Sequence, residues 1–191
     1  MAAWEYTLLF TSVLLGGLTA YFIRRHYPAR LALLLSFSGA YILGIAALHL
    51  LPAAFSQSGR HPGLWLLLGF FIQLLLEQFS RGVEHGHVHA HRHASTGFGV
   101  QILIGLCLHS FIEGMPLSGY SYMHDHGQSA GTVNHLLFGI ILHKVPAAFA
   151  LVILLIQSGF RRSFILSSLL LFAAMSPLGA WLAEQWIQDE E

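Results

Sequence analysis

Six apolar stretches, each long enough to cross a lipid bilayer, dominate this sequence. They run over Trp4–Ile23, Leu31–Phe55, Pro62–Ser80, Gly97–Gly119, Thr132–Gln157 and Ser163–Gln185. A transmembrane helix needs about 20 mostly apolar residues, since it rises about 1.5 Å per residue through a core about 30 Å thick. The runs are continuous rather than alternating, so they do not read as barrel strands. Backbone groups in lipid must then be satisfied within helices. Composition agrees, with 55% of residues hydrophobic and 9% charged, against about 25% charged in an ordinary soluble domain. So few charges cannot clothe a soluble enzyme, and so apolar a chain is not disordered. The predicted fold is all-α, a polytopic membrane helix bundle of about six transmembrane helices forming one transmembrane domain over residues 1–191.

Orientation follows from the basic residues. Arg24, Arg25 and Arg30 fall between the first and second spans, Arg81 and Arg92 between the third and fourth, and Arg161 and Arg162 between the fifth and sixth. Only Arg60 lies on the other side. This bias puts the first, third and fifth connections in the cytoplasm and both the N-terminus and the C-terminus outside, in the plasma (inner) membrane if the source is bacterial. The basic residues follow the first apolar run instead of preceding it, so that span reads as retained rather than as a signal peptide. Nine basic residues balance nine acidic ones, and nothing points to nucleic acid. The lone Cys107 excludes an internal disulfide framework or a multi-cysteine zinc site.

Ionisable groups at membrane depth are costly and by default mark ion or substrate paths. His109 and Glu113 stand four apart on one face of the fourth span, and His143 precedes Lys144 in the fifth. His109 sits about 18 Å from the cytoplasmic end of its span and His143 about 16 Å from the outer end of its own. The two helices run in opposite directions, so both histidines reach the midplane. Two imidazoles and a carboxylate at one depth suit zinc or a similar divalent ion. Pro116 and Pro146 cannot donate hydrogen bonds to Ile112 and Leu142, which frees carbonyls nearby. Lys144 cannot reach the interface and must pair. Glu113 is the carboxylate expected at its depth, so the ammonium balances the charge of the site. His49, Gln73 and Glu77 either line an ion path or make structural hydrogen bonds.

The sequence holds thirteen histidines. Five of them, His85, His87, His89, His91 and His93, alternate in the predicted cytoplasmic loop at about residues 81–96. Such a tract binds metal loosely without fixed coordination. His124 and His126 form a weaker outer pair around Asp125.

Taken together, these motifs resemble the ZIP (Zrt-/Irt-like protein) divalent metal transporters. The similarity rests on His109-Ser110-x-x-Glu113-Gly114, His143-x-x-Pro146, the His49-Leu-Leu-Pro52 end of the second span and Ser176-Pro-Leu-Gly179. The resemblance implies movement of Zn2+, or of Fe2+, Mn2+ or Cd2+, toward the cytoplasm. It implies a transport site between the fourth and fifth spans, with His109, Glu113 and His143 as ligands and Ser110 beside them. Alternating access would slide one group of helices, including those two, against the rest. Where many members carry acidic or histidine ligands for a second metal, this chain has Lys144 and Ala147, which implies a single-metal site. Members usually have eight spans, so the resemblance implies a fragment, a shortened protein, or completion by a partner or a homodimer. Two other functions fit the same residues: a membrane-embedded zinc hydrolase, and a metal-binding membrane protein that senses without transporting.

Overall fold

Hydrocarbon offers no partner to a free amide, and the backbone answers with helices throughout; among the described residues there is no strand. The computed structural model describes residues 1–23, 28–57, 61–80, 96–119 and 133–189. In chain order the elements are α1 (Ala3–Ile23), α2 (Pro28–Ile45), a π-helical turn (Ala46–Leu50), α3 (Leu51–Gln57), α4 (Pro62–Ser80), α5 (Thr96–Gly114), α6 (Val133–Gln157) and α7 (Arg162–Asp189). The second predicted span is thus α2 and α3 joined through a π turn. Five of the six predicted spans are long and apolar enough to cross a membrane. The remaining one is a shorter apolar helix, Pro62–Gln78, near the lower limit of about 17 residues. The protein is an all-helical, multi-pass membrane bundle.

Two prolines behave differently. Pro146 lies inside an unbroken α6, whereas α5 stops at Gly114 with a turn at Met115 before Pro116. The Ile112 carbonyl predicted to be freed by Pro116 is taken instead by the Met115 amide at 3.2 Å. The helix tightens by one residue and satisfies the acceptor itself.

Four helices, α1, α5, α6 and α7, form the centre of the bundle. α1 lies against α6 and α7, and α5 lies against α7. Small residues allow these approaches: Gly16 rests on the α6 backbone at Val145, and Gly17 on Leu169 of α7. Where α5 crosses α7, Gly114 sits on the Ser176 backbone and Gly179 on the Phe111 backbone. α6 is the most enclosed helix, with Ala147, Ala148 and the run from Ala150 to Leu155 buried. At the end of α6, Gly159 adopts φ +78°. That left-handed turn lets the Phe160 amide bond the Leu155 carbonyl at 3.1 Å.

The other helices flank this centre. α2 lies against α6, and α4 lies against α5 and the end of α3. Leu76 is the buried apolar residue of α4, while Leu64 to Leu68, Phe70, Phe71 and Leu75 are exposed, as suits a lipid-facing helix. The start of α1 meets the end of α7: the terminal ammonium of Met1 lies 2.6 Å from Glu184, and the Tyr6 hydroxyl donates to the same carboxylate. The start of α1 and the last turns of α7 therefore lie at one end of the bundle. α5 and α6 barely approach through their backbones, which leaves room between them for side chains.

A candidate metal centre between α5 and α6

His109, Ser110 and Glu113 descend from α5, and His143 and Lys144 from α6. The four-residue spacing stacks His109 over Glu113 on one face of α5. His109 Nε2 lies 3.5 Å from a Glu113 carboxylate oxygen. The rings of His109 and His143 are 6.3 Å apart between centroids. One ligand atom from each of His109, Glu113 and His143 falls within 4.8 Å of the others. An ion can touch all three at ordinary coordination distances of about 2 Å with small adjustments.

Lys144 is almost wholly buried, at 1% exposure. Its ammonium forms an ion pair with Glu113 and stands 5.5 Å from the Phe172 ring centroid on α7. Burial forces the pairing, because an uncompensated buried charge is costly. The ring face of Phe172 adds a weaker attraction. As arranged, carboxylate and ammonium cancel, and the protein groups of the site carry no net charge when both imidazoles are neutral.

Ser110 stands one residue from His109 but turns away from the cluster. Its hydroxyl donates to the Ser176 hydroxyl at 2.9 Å, since the Ser176 proton is directed to the Ser110 carbonyl, also at 2.9 Å. Both serines are buried in the α5–α7 crossing. The structure gives Ser110 a helix-joining bond, where the resemblance implied a place beside the ligands.

Gln73 reaches the cluster from α4: its amide oxygen lies 3.3 Å from His109 Nδ1. His49 lies exposed in the π turn, and Glu77 is half-buried one turn beyond Gln73. The loop histidines His85, His87, His89, His91 and His93, like His124 and His126, lie outside the described residues. Two contacts escaped the sequence reading. The Ser38 hydroxyl of α2 lies 3.1 Å from His143 Nδ1, and Phe172 faces Lys144. Ser38 is a polar residue within an apolar run, at about 15 Å from the start of α2 by the helix rise. Its place inside that apolar run was the available signal.

With this geometry in place, comparison with known proteins is informative. A family model described as "ZIP Zinc transporter" matches residues 6–101 and 84–185. Zinc transporter ZIP9 of Micropogonias undulatus is 32% identical over 121 residues, covering 63% of this chain and 37% of the relative. Zinc transporter SLC39A7 of Rattus norvegicus is 40% identical over 80 residues, covering 32% of this chain and 17% of the relative. Zinc transporter ZIP1 of Danio rerio is 29% identical over 105 residues, covering 54% and 32% respectively. The chain thus spans little more than a third of the first relative's length. No solved structure matches it.

Proposed function

The chain belongs to the ZIP family, and from that premise we propose that it carries a divalent metal ion, zinc before others, across a membrane toward the cytoplasm. The path runs through a midplane site between α5 and α6. His109, Glu113 and His143 are the ligands, and Lys144 balances the carboxylate while the site is empty. The observation that carries this reading is the convergence of the three ligand atoms within 4.8 Å from two helices of a multi-pass bundle. The zinc transporters among the relatives support zinc as the cargo. They also favour transport over hydrolysis, since each is named for moving zinc. Imidazole and carboxylate ligands suit iron and manganese as well, so the reading fixes the donor set more narrowly than the metal.

The steps follow from the charges. His109 Nε2 and the Lys144 ammonium meet the same Glu113 oxygen, so an arriving ion takes that oxygen in competition with the ammonium. Neutral imidazoles complete the shell without adding charge. A mononuclear site follows from Lys144, whose ammonium occupies the space beside Glu113 that a second cation would need. The same ammonium repels the bound ion, which keeps affinity moderate and allows release on the far side.

The test is uptake of labelled zinc into proteoliposomes containing the 191-residue chain, beside Glu113→Ala. Flux that disappears in the variant is the expected result. Equal flux in both proteins overturns the site. Absent flux with zinc still bound by the unmutated chain overturns transport and leaves a metal-binding membrane protein.

A further inference from the structure

The two histidines of the centre are alike in a way their ligand role does not require. Each belongs to a central helix, and each is hydrogen-bonded through Nδ1 to a residue of a flanking helix. His143 on α6 meets Ser38 on α2 at 3.1 Å, and His109 on α5 meets Gln73 on α4 at 3.3 Å. The direction of both bonds can be deduced. An amide oxygen only accepts, so His109 Nδ1 carries the proton that Gln73 receives. Ser38 has one hydroxyl proton, and it is directed to the Leu35 carbonyl at 3.0 Å. With the proton so directed, the Ser38 oxygen is the acceptor, and the tautomer of His143 that matches it carries a proton on Nδ1. In a neutral imidazole the other nitrogen is then the bare one. Both neutral rings are left with an Nε2 lone pair, and that of His109 lies 3.5 Å from a Glu113 oxygen, a pair of electron-rich atoms that a cation between them would join.

We propose that Ser38 and Gln73 are positioning residues that lock both imidazoles in the Nδ1–H tautomer and so present two Nε2 lone pairs to a divalent cation. The proposal rests on the ligand set given above and deepens it. Its consequence is that the outer helices take part in metal capture. α2 and α4 contribute no ligand, yet each holds one ligand ring in its binding form. A displacement of α2 or α4 from the central helices breaks one of these bonds and frees the ring to rotate or exchange its proton. Affinity is then highest when both flanking helices are seated, and the site loosens as either leaves. Partners that hold the far nitrogen of a ligating histidine commonly account for about tenfold to hundredfold in metal affinity.

Two measurements on the full chain in detergent test this, with His85, His87, His89, His91 and His93 changed to Asn in every sample to remove loop binding. The first is ¹⁵N NMR of histidine-labelled, metal-free protein, with His109 and His143 assigned by His109→Gln and His143→Gln. Both rings are expected as Nδ1–H, with Ser38→Ala releasing His143 alone and Gln73→Leu releasing His109 alone. The second is titration with cobalt(II), whose visible absorption reports a low-coordinate site. Ser38→Ala and Gln73→Leu should each weaken binding by about tenfold to hundredfold. Gln73→Glu, which keeps the acceptor, should bind at least as tightly as the parent. A role limited to filling space would make Gln73→Glu as weak as Gln73→Leu, and that result overturns the proposal. So does an Nε2–H tautomer at either ring of the parent. Loss of the cobalt band in Glu113→Ala with full affinity in Ser38→Ala and Gln73→Leu overturns the positioning role and spares the site. Persistence of the band in Glu113→Ala overturns the site itself, and the proposal with it.

Discussion

Replacing Lys144 with methionine removes an ammonium from the site while nearly preserving the length of the side chain. The ammonium pairs with Glu113, and the candidate ligand atoms lie within 4.8 Å of one another. An ion among them stands on the order of 5 Å from the ammonium, where at an effective dielectric of about 20 a divalent charge is repelled by about 7 kcal/mol. Retreat of the flexible lysine relieves most of this. A residue of about 2 kcal/mol corresponds to about thirtyfold in Kd. Lys144→Met should therefore bind zinc about thirtyfold more tightly by calorimetric titration. The metal-free protein should suffer in return, because a buried carboxylate stripped of its partner costs about 3–5 kcal/mol. Thermal unfolding in detergent should show a lowered midpoint without zinc and recovery with it. In proteoliposomes KM and turnover should fall together, since a tighter site releases more slowly. Zinc binding that is unchanged or weaker in Lys144→Met would refute the electrostatic argument, whatever happens to stability.

Other outcomes follow from the geometry. A methyl group on Gly179 would meet the Phe111 carbonyl across the α5–α7 crossing. Gly179→Ala should thus cost about 1–3 kcal/mol of stability, read from thermal or denaturant unfolding in detergent. Ser110→Ala removes one buried hydrogen bond and should cost about 1 kcal/mol, with zinc affinity close to that of the parent. A collapse of affinity on titration would instead return Ser110 to the ligand set. Exchanging the five loop histidines for Asn should raise the apparent KM for zinc uptake without lowering turnover, as expected if the tract gathers ions by weak binding and forms no part of the path.

Most of the architecture was legible because a bilayer admits few solutions. Continuous apolar runs of span length become helices, and all six predicted runs contain one. The π turn at Ala46–Leu50 was not legible, since one extra residue per turn leaves no mark on an already apolar sequence. Which helices are central was also hidden. Exposure to lipid and burial against protein select the same residue types, so α4 and α6 look alike on paper and differ completely in burial. His109, Glu113, His143 and Lys144 stood out because ionisable groups at that depth are rare. Ser38 did not, because a transmembrane serine bonding back to its own helix is ordinary, and Ser38 does bond to Leu35. Its second bond, to His143, depends on which helix stands opposite. The Ser110–Ser176 bond was hidden for a related reason: adjacency to His109 in sequence puts Ser110 about 100° around the helix, toward α7 and Ser176.

The pairing of Lys144 with Glu113 has a consequence for the energetics of a transport cycle. With both imidazoles neutral the empty centre carries no net charge, so under the proposed transport the empty protein would return across the membrane field without electrical work. The loaded centre carries the full double charge of the ion. A membrane potential would therefore act on one half of that proposed cycle, contributing about 4.6 kcal/mol per 100 mV to each divalent ion crossing the whole field. An interior-negative voltage would drive accumulation with no second ion coupled to the movement. Transport by this site should move two charges per zinc, and its rate should rise as the interior becomes more negative.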